Sequence, residues 1–307
     1  RNPDRPLPLN ELGGGQLTTA EAALHWYQGL DPRPLAEIPQ EELAGKIGDF
    51  DAIVVRSATK VRKDLIDAGK PRFRAVVRGG VGIDNIDHVY AGENGVKVMN
   101  TPAASSPSVA ELAIAHMFAI SRHVVQANLT MRKGEWNKKQ YKGVELGGKT
   151  LGVLGIGRIG QSLAQKAMGL GMKVIAYDPF IKSLDMDVEL MSMDEVLAQA
   201  DYISLHMPAQ PDGPAIGTTQ FGLMKDGAFL INCARGGVVD EAAMITALDS
   251  GKLAGAGVDV FVGEPKPDDK VLNHPKISVT PHIGASTGEA QDRIGIEVAT
   301  QLIDFFK

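Results

Sequence analysis

The sequence predicts an α/β fold made of two doubly wound parallel-sheet domains, and three observations carry that prediction. The chain has 307 residues, too many for one compact core. From Gly148 onward, short runs rich in Val and Ile alternate with helical patterns, as buried parallel strands joined by crossover helices do. A glycine-rich turn at Gly155, Gly157 and Gly160 follows the first of these runs, and an acidic residue, Asp178, closes the next one 18 residues after Gly160.

Taken in order, the opening is the least regular part. Arg1–Asn10 is proline-rich, Gly13-Gly14-Gly15 forms a short tract, Thr18–Leu30 reads as one helix, and no apolar opening strand is legible before Asp49. Ala52–Val55 and Ala75–Val77 then read as strands, each running into an arginine, Arg56 and Arg78. Val96–Met99 reads as a third strand, ending at Asn100-Thr101-Pro102, and an amphipathic pattern from Ser108 to about Arg122 follows. Further strands are expected at Leu151–Leu154, Lys173–Tyr177, Tyr202–Leu205, Ala228–Asn232, Gly257–Val260 and Ile277–Thr280. Helices are expected at Ile159–Gly169, Met193–Gln199 and Glu241–Ser250, the last stopped by Gly251. The apolar residues Ile294, Ile296, Val298, Leu302 and Ile303 make Glu289–Phe306 a helix that is expected to return to the first domain. The expected domains are therefore 1–100 with 288–307, and 101–287.

Composition narrows the function classes. The chain is 44% hydrophobic and carries a net charge of −5 without a basic stripe, which argues against nucleic acid as a main partner. Its one cysteine, Cys233, cannot form an intrachain disulfide, so a reducing, cytoplasmic location is expected. The apolar stretch around Ala110–Ile120 contains Glu111 and His116 and is too short to span a bilayer, so no membrane association is expected. Arg1–Asn10 lacks the apolar character of a signal peptide.

The glycine turn has chemical content. A strand, Gly155-Ile-Gly157-Arg-Ile-Gly160, a helix, a second strand and Asp178 make up the full dinucleotide-binding pattern of a Rossmann-like domain. Gly155 permits the tight turn, Gly157 lets the backbone approach a pyrophosphate, and Gly160 lets the helix pack on the strand. The helix N-terminus offers its free N–H groups to phosphates. Asp178 would accept hydrogen bonds from ribose hydroxyls and repel a 2′-phosphate, which favours NAD over NADP. A second glycine motif, Gly143-Val-Glu-Leu-Gly-Gly-Lys149-Thr150, matches a phosphate-binding P-loop in letters only, since it follows a polar segment and leads into a strand. No HExxH or CxxC occurs, so no metal site is expected.

Three further segments reach the same strand ends: Asn232-Cys-Ala-Arg235-Gly-Gly, Asp259-Val-Phe-Val-Gly-Glu264-Pro and Thr280-Pro-His282-Ile-Gly. Hydride transfer between nicotinamide and a 2-hydroxy acid needs a cation for the substrate carboxylate, and arginine binds carboxylates with two parallel hydrogen bonds. It also needs a group that titrates near neutrality to exchange the hydroxyl proton, and a carboxylate to orient that group. Singly, each is an ordinary loop residue. Together, Arg235, His282 and Glu264 supply the set.

On these motifs the chain resembles the D-isomer-specific 2-hydroxyacid dehydrogenase family, from about Phe50 to Lys307. The nucleotide signature matches Gly152–Asp178, and the central signature matches Met224-Lys-Asp-Gly-Ala-Phe-Leu-Ile-Asn-Cys-Ala-Arg-Gly236. Arg56-Ser-Ala-Thr-Lys60 and His282-Ile-Gly-Ala-Ser-Thr-Gly-Glu-Ala-Gln291 resemble the branch acting on phosphoglycerate. The resemblance implies a flavodoxin-like substrate domain beside the NAD-binding domain, with Arg235 as substrate anchor, Glu264 as histidine partner and His282 as acid/base. It implies cofactor contacts at Arg158, Ile159, His206, Met207, Cys233, Ala234, Asp259, Gly284 and Ala285, besides the glycines and Asp178. Substrate contacts are implied at Arg56, Ser57, Arg78, Gly79, Gly80 and Asn100, where two arginines and a glycine-rich backbone make an anion cradle.

The resemblance further implies a homodimer or higher homo-oligomer through the Ser108–Gln140 region. Arg132, Lys133, Lys138 and Lys139 would approach a neighbour's phosphate there, and a solvated face is the alternative for Lys138 and Lys139. Val81 departs from the threonine that this branch often carries near the cofactor. The regulatory extension of many family members is expected to have no counterpart after Lys307. The implied activity is NAD-dependent oxidation of D-3-phosphoglycerate, in serine synthesis. The alternatives are a hydroxypyruvate or glyoxylate reductase of the same family, and a non-enzymatic NAD-sensing corepressor.

Overall fold

Runs rich in Val, Ile and Ala make the strands, those at the centre of the larger sheet being buried on both faces, and the computed structural model, which describes residues 39–307, arranges them in two parallel sheets. The readings made on Arg1–Asn10, the Gly13–Gly15 tract and Thr18–Leu30 lie outside the described residues. Two units are distinguished, one of the described residues up to Ser105 together with Ala285–Lys307, the other Ser106–Gly284. The sequence pattern places these breaks at 100/101 and 287/288.

In the first unit, β1 (Ala52–Val55), β2 (Ala75–Arg78) and β3 (Lys97–Asn100) form a three-stranded parallel sheet in that order. Helices α1 (Lys63–Ala68) and α2 (His88–Glu93) make the crossovers, and Leu65, Ile66, Phe73 and Val96 build the core on one face. The C-terminal helix Gly288–Phe306 covers the other, setting Ile294, Val298 and Leu302 against Ala75 and Val77. Thr287 caps that helix by accepting from the Ala290 amide at 3.1 Å. Its return to the first unit is as the apolar spacing implied.

In the second unit, α3 (Ser106–Ser121) and α4 (Val124–Arg132) precede a seven-stranded sheet. Its strands are β4 (Thr150–Leu154), β5 (Lys173–Tyr177), β6 (Glu189–Leu190), β7 (Tyr202–Leu205), β8 (Ala228–Asn232), β9 (Leu253–Val258) and β10 (Ile277–Val279). The order is β10-β9-β8-β7-β4-β5-β6, every pairing parallel. Helices α5 (Arg158–Gly169), α6 (Met193–Gln199), α7 (Thr218–Leu223) and α8 (Glu241–Asp249) lie between the strands in sequence. The order reverses between β4 and β7, the switch point beside which ligands bind in such sheets. Strand β9 begins at Leu253, not Gly257, and ends before Asp259. After Lys149 the chain enters β4 rather than a helix, in keeping with the rejection of the P-loop reading. Helix α4 was not anticipated, and it presents Val124, Leu129 and Met131 to solvent. No helix of the described residues is long and apolar enough to cross a membrane.

Candidate active site

The turn after β4 is shaped by what its glycines leave out. Gly155 has φ +94°, and a Cβ there would lie 2.6 Å from the His206 carbonyl oxygen, so neither the conformation nor the space admits a side chain. A Cβ on Gly160 would overlap the Gly155 carbonyl oxygen, which fixes the close packing of α5 on the turn. At Gly157 the same position opens into free space, and Gly157 caps α5 without any side-chain hydrogen bond. The first N–H groups of α5 therefore face an open approach, with Arg158 exposed and Ile159 partly buried beside it. Asp178 follows β5 directly. Its carboxylate accepts from the Ile156 amide at 3.0 Å and from Phe180 and Ile181 at 2.9 and 3.1 Å, so the acid is locked against the glycine turn. A carboxylate has further lone pairs for ribose hydroxyls. The cradle fits a dinucleotide pyrophosphate and its ribose.

His206 and Met207 follow β7. The His206 Nε2 lies 2.9 Å from Ser204 Oγ, and burial pushes the ring down to about 4, so it is neutral at physiological pH. Cys233 and Ala234 follow β8 and are buried. Burial raises the Cys233 thiol, and the nearby Asp259 charge adds to the effect, so it is no thiolate nucleophile.

The proton-handling pair is formed at the adjacent strand ends. His282 Nδ1 lies 2.8 Å from Glu264 Oε2, and Glu264 Oε1 accepts from the Phe261 amide at 2.9 Å. The ring is thereby oriented, and Nε2 makes no hydrogen bond among the described residues. His282 sits at φ +53°, a left-handed conformation that costs a non-glycine residue about 1–3 kcal/mol and must be held by its surroundings. Asp259, 1% exposed at the end of β9, does the holding. Its carbonyl accepts from the His282 amide at 2.8 Å, and its carboxylate accepts from Thr280 Oγ1, Ile283 N and Gly284 N at 2.6, 2.8 and 2.9 Å. The resemblance implies a cofactor contact at Asp259, and in the structure its carboxylate also brackets the turn that carries the histidine.

Arg235 lies three residues past β8, with Nη1 donating to the Ala234 carbonyl at 2.7 Å. The buried Asn232 shapes this loop from both sides, donating to the Arg235 carbonyl and accepting from the Ala234 amide, each at 3.1 Å. A Cβ on Gly236 would overlap the Phe261 carbonyl oxygen, so the arginine loop abuts the loop leading to Glu264. Glu241 completes the packing by accepting from the Val262 amide at 2.8 Å, and burial raises its carboxyl. Gly236, Glu241 and the bracketing role of Asp259 were not read from the sequence. A pair of glycines directly after a functional arginine was the one available signal.

In the first unit, Arg56 follows β1 and Arg78 closes β2. Arg56 donates to the Gln291 carboxamide, and the Arg78 guanidinium folds over Gly80, where φ is +149° and a Cβ would overlap it. Asn85 secures the Arg56–Thr59 loop, donating to the Arg56 and Thr59 carbonyls at 2.8 and 2.7 Å. Asn100 ties β3 to the glycine loop by donating to the Val81 carbonyl at 2.5 Å. Ser57 is exposed, Gly79 and Gly80 are buried, and the Ala285 carbonyl accepts from Gln291 Nε2 at 2.8 Å. Among the described residues no group of His, Cys, Asp and Glu could hold a metal ion.

Comparison with known proteins follows the same lines. Residues 114–284 match the family described as D-isomer specific 2-hydroxyacid dehydrogenase, NAD binding domain. The chain is 46% identical over 269 residues to a hydroxypyruvate reductase of Thermotoga maritima, covering 86% of this chain and 88% of the relative. It is also 46% identical over 270 residues to a D-3-phosphoglycerate dehydrogenase of Methanocaldococcus jannaschii, covering 86% of this chain and 51% of the relative, so it spans about half that relative's length. Among solved structures, a D-lactate dehydrogenase from Aquifex aeolicus complexed with NAD and lactic acid superposes with TM-score 0.77 at 32% identity, covering 89% of this chain and 86% of that one.

Proposed function

The chain belongs to the D-isomer-specific 2-hydroxyacid dehydrogenase family, and from that premise we propose that it oxidises D-3-phosphoglycerate to 3-phosphohydroxypyruvate with NAD. The family makes it an NAD-dependent oxidoreductase. What supports the phosphorylated substrate is the pair of arginines, Arg56 and Arg78, at the carboxyl ends of adjacent parallel strands beside the buried Gly79-Gly80 backbone. A phosphate carries up to two negative charges, and Arg235 supplies one anchor only.

NAD, when bound, supplies the hydride acceptor. The amides at the start of α5 and the Gly155–Gly157 backbone would hold its pyrophosphate, and Asp178 its ribose. Arg235 holds the substrate carboxylate through its planar fork. His282 takes the hydroxyl proton at Nε2 as C2 loses its hydride, while Glu264 at Nδ1 keeps the ring oriented. The orientation is built in before substrate arrives, because both Glu264 oxygens and the His282 backbone are already engaged.

A second reading, reduction of hydroxypyruvate, is favoured by the 46% identity to the Thermotoga maritima relative. The two separate on one comparison. The phosphoglycerate reading expects kcat/KM for D-3-phosphoglycerate to exceed that for D-glycerate by roughly tenfold or more. Arg56→Ala should lower the phosphoglycerate value by about ten- to a hundredfold, the scale of one charge-assisted contact, and change the glycerate value much less. Equal efficiency with both substrates in the natural chain would leave the reductase reading.

A further inference from the structure

His116 lies in the middle of α3, is 2% exposed, and plays no part in the mechanism derived so far. Its Nδ1 lies 3.0 Å from Ser278 Oγ and its Nε2 lies 3.0 Å from Thr280 Oγ1, one partner within β10 and one just past it. Thr280 Oγ1 also donates to Asp259 Oδ1 at 2.6 Å. A hydroxyl has a single hydrogen, so with that hydrogen given to Asp259 the threonine must accept from His116 Nε2–H. Nδ1 then accepts from the Ser278 hydroxyl, and a neutral ring is satisfied on both sides.

We propose that His116 is a positioning residue for the acid–base histidine, acting through Thr280 and Asp259; the inference rests on the role of His282 in the preceding reading. The relay runs from the ring of His116 to the Thr280 hydroxyl, then to the Asp259 carboxylate, then to the amides of Ile283 and Gly284 on the far side of His282. Asp259 holds the His282 amide as well, so the turn is fixed before, at and after the histidine. A residue at φ +53° relaxes when such a frame loosens.

Three further features fit this role. A Cβ on Gly257 would come within 2.5 Å of His116 Cβ, so β9 carries a glycine where the helix bearing His116 approaches it. Burial lowers the His116 pKa, opposed by the Asp259 charge, so the ring stays neutral and keeps the one donor and one acceptor the relay requires. Among the described residues, Asp259 has no side-chain donor other than Thr280. With His116 gone, the threonine hydroxyl loses the partner that aims it.

The test compares His116→Leu, His116→Gln and Thr280→Val with the natural chain in two measurements. The first is hydrogen exchange of the Ile283 and Gly284 amides, which reads the frame whatever the substrate proves to be. The second is kcat, KM and NADH affinity with the 2-hydroxy acid that drives NADH formation. Exchange at the two amides should rise roughly tenfold in His116→Leu and Thr280→Val. The kcat should fall about tenfold, with NADH affinity within about twofold of the natural chain, because a small displacement of a positioned proton carrier acts on the chemical step. Glutamine, whose amide N–H can reach Thr280, should restore most of both. Thr280→Val breaks the same relay with almost no change of volume, so the proposal stays testable if His116→Leu does not fold. Natural exchange at Ile283 and Gly284 in both Leu and Val variants would overturn it. Faster exchange with unchanged kcat would overturn the link to catalysis.

Discussion

Replacing His282 with asparagine is expected to lower kcat by roughly 10²- to 10⁴-fold while NADH binds as before. Asparagine is the informative choice because it tolerates φ near +53°, so the bracket around Asp259 survives the substitution. Its amide can still face Glu264 but cannot take a proton from a substrate hydroxyl. The nucleotide cradle, built from Gly155, Gly157 and Asp178 after other strands, is untouched. Stopped-flow or steady-state turnover beside NADH fluorescence titration separates the two effects. Turnover equal to the natural chain would remove His282 from the mechanism.

The next largest effect is expected from a methyl group. Gly236→Ala places Cβ into the Phe261 carbonyl, with the Val262 amide nitrogen 3.0 Å away; both are backbone and cannot rotate aside. The Arg235 loop and the loop carrying Glu264 must separate. The cost is about 1–3 kcal/mol of stability or more, by the general scale of overpacking. Since a displacement near 1 Å at a reacting group costs about a hundredfold, kcat/KM should fall on that scale as well. Gly222→Ala on α7, where a Cβ meets nothing within 4 Å, serves as the neutral control. Thermal midpoints and kcat/KM measured side by side give the answer. A Gly236→Ala chain as stable and as active as Gly222→Ala would contradict the described approach of the two loops.

How much of this was legible beforehand depends on where the physical cause lay. Lys173–Tyr177, Tyr202–Leu205 and Ala228–Asn232 were placed to the residue because a strand buried on both faces writes its extent as continuous hydrophobicity. Strand β9 was started four residues late. Leu253-Ala-Gly-Ala-Gly257 is built from small residues that let α3 approach, and Gly255 and Gly257 lie against Ile120 and His116. The cause is an absent side chain, which hydropathy does not register. Helix α4 was missed because it buries no residue and so has no apolar stripe to read.

The site divides in the same way. Arg235, Glu264, His282 and Asp178 stand out as candidates in the sequence because their chemistry is particular and each follows a strand. Gly236, Glu241 and His116 were not, because what they do is defined by partners 25, 21 and 164 residues away, Phe261, Val262 and Thr280. His116 was noted only as a polar interruption of an apolar helix. In a folded chain that interruption reaches two hydroxyls on another element.

The central claim is that a hydride passes from C2 of a 2-hydroxy acid to NAD at a site where His282 removes the hydroxyl proton. Supplying D-3-phosphoglycerate deuterated at C2 with NAD tests it most directly. The account predicts NADH formed in equal amount to the keto acid, with the deuterium recovered at C4 of the nicotinamide and a slower rate than the protiated substrate. Release of the deuterium to solvent, or no NADH from any D-2-hydroxy acid, would contradict it.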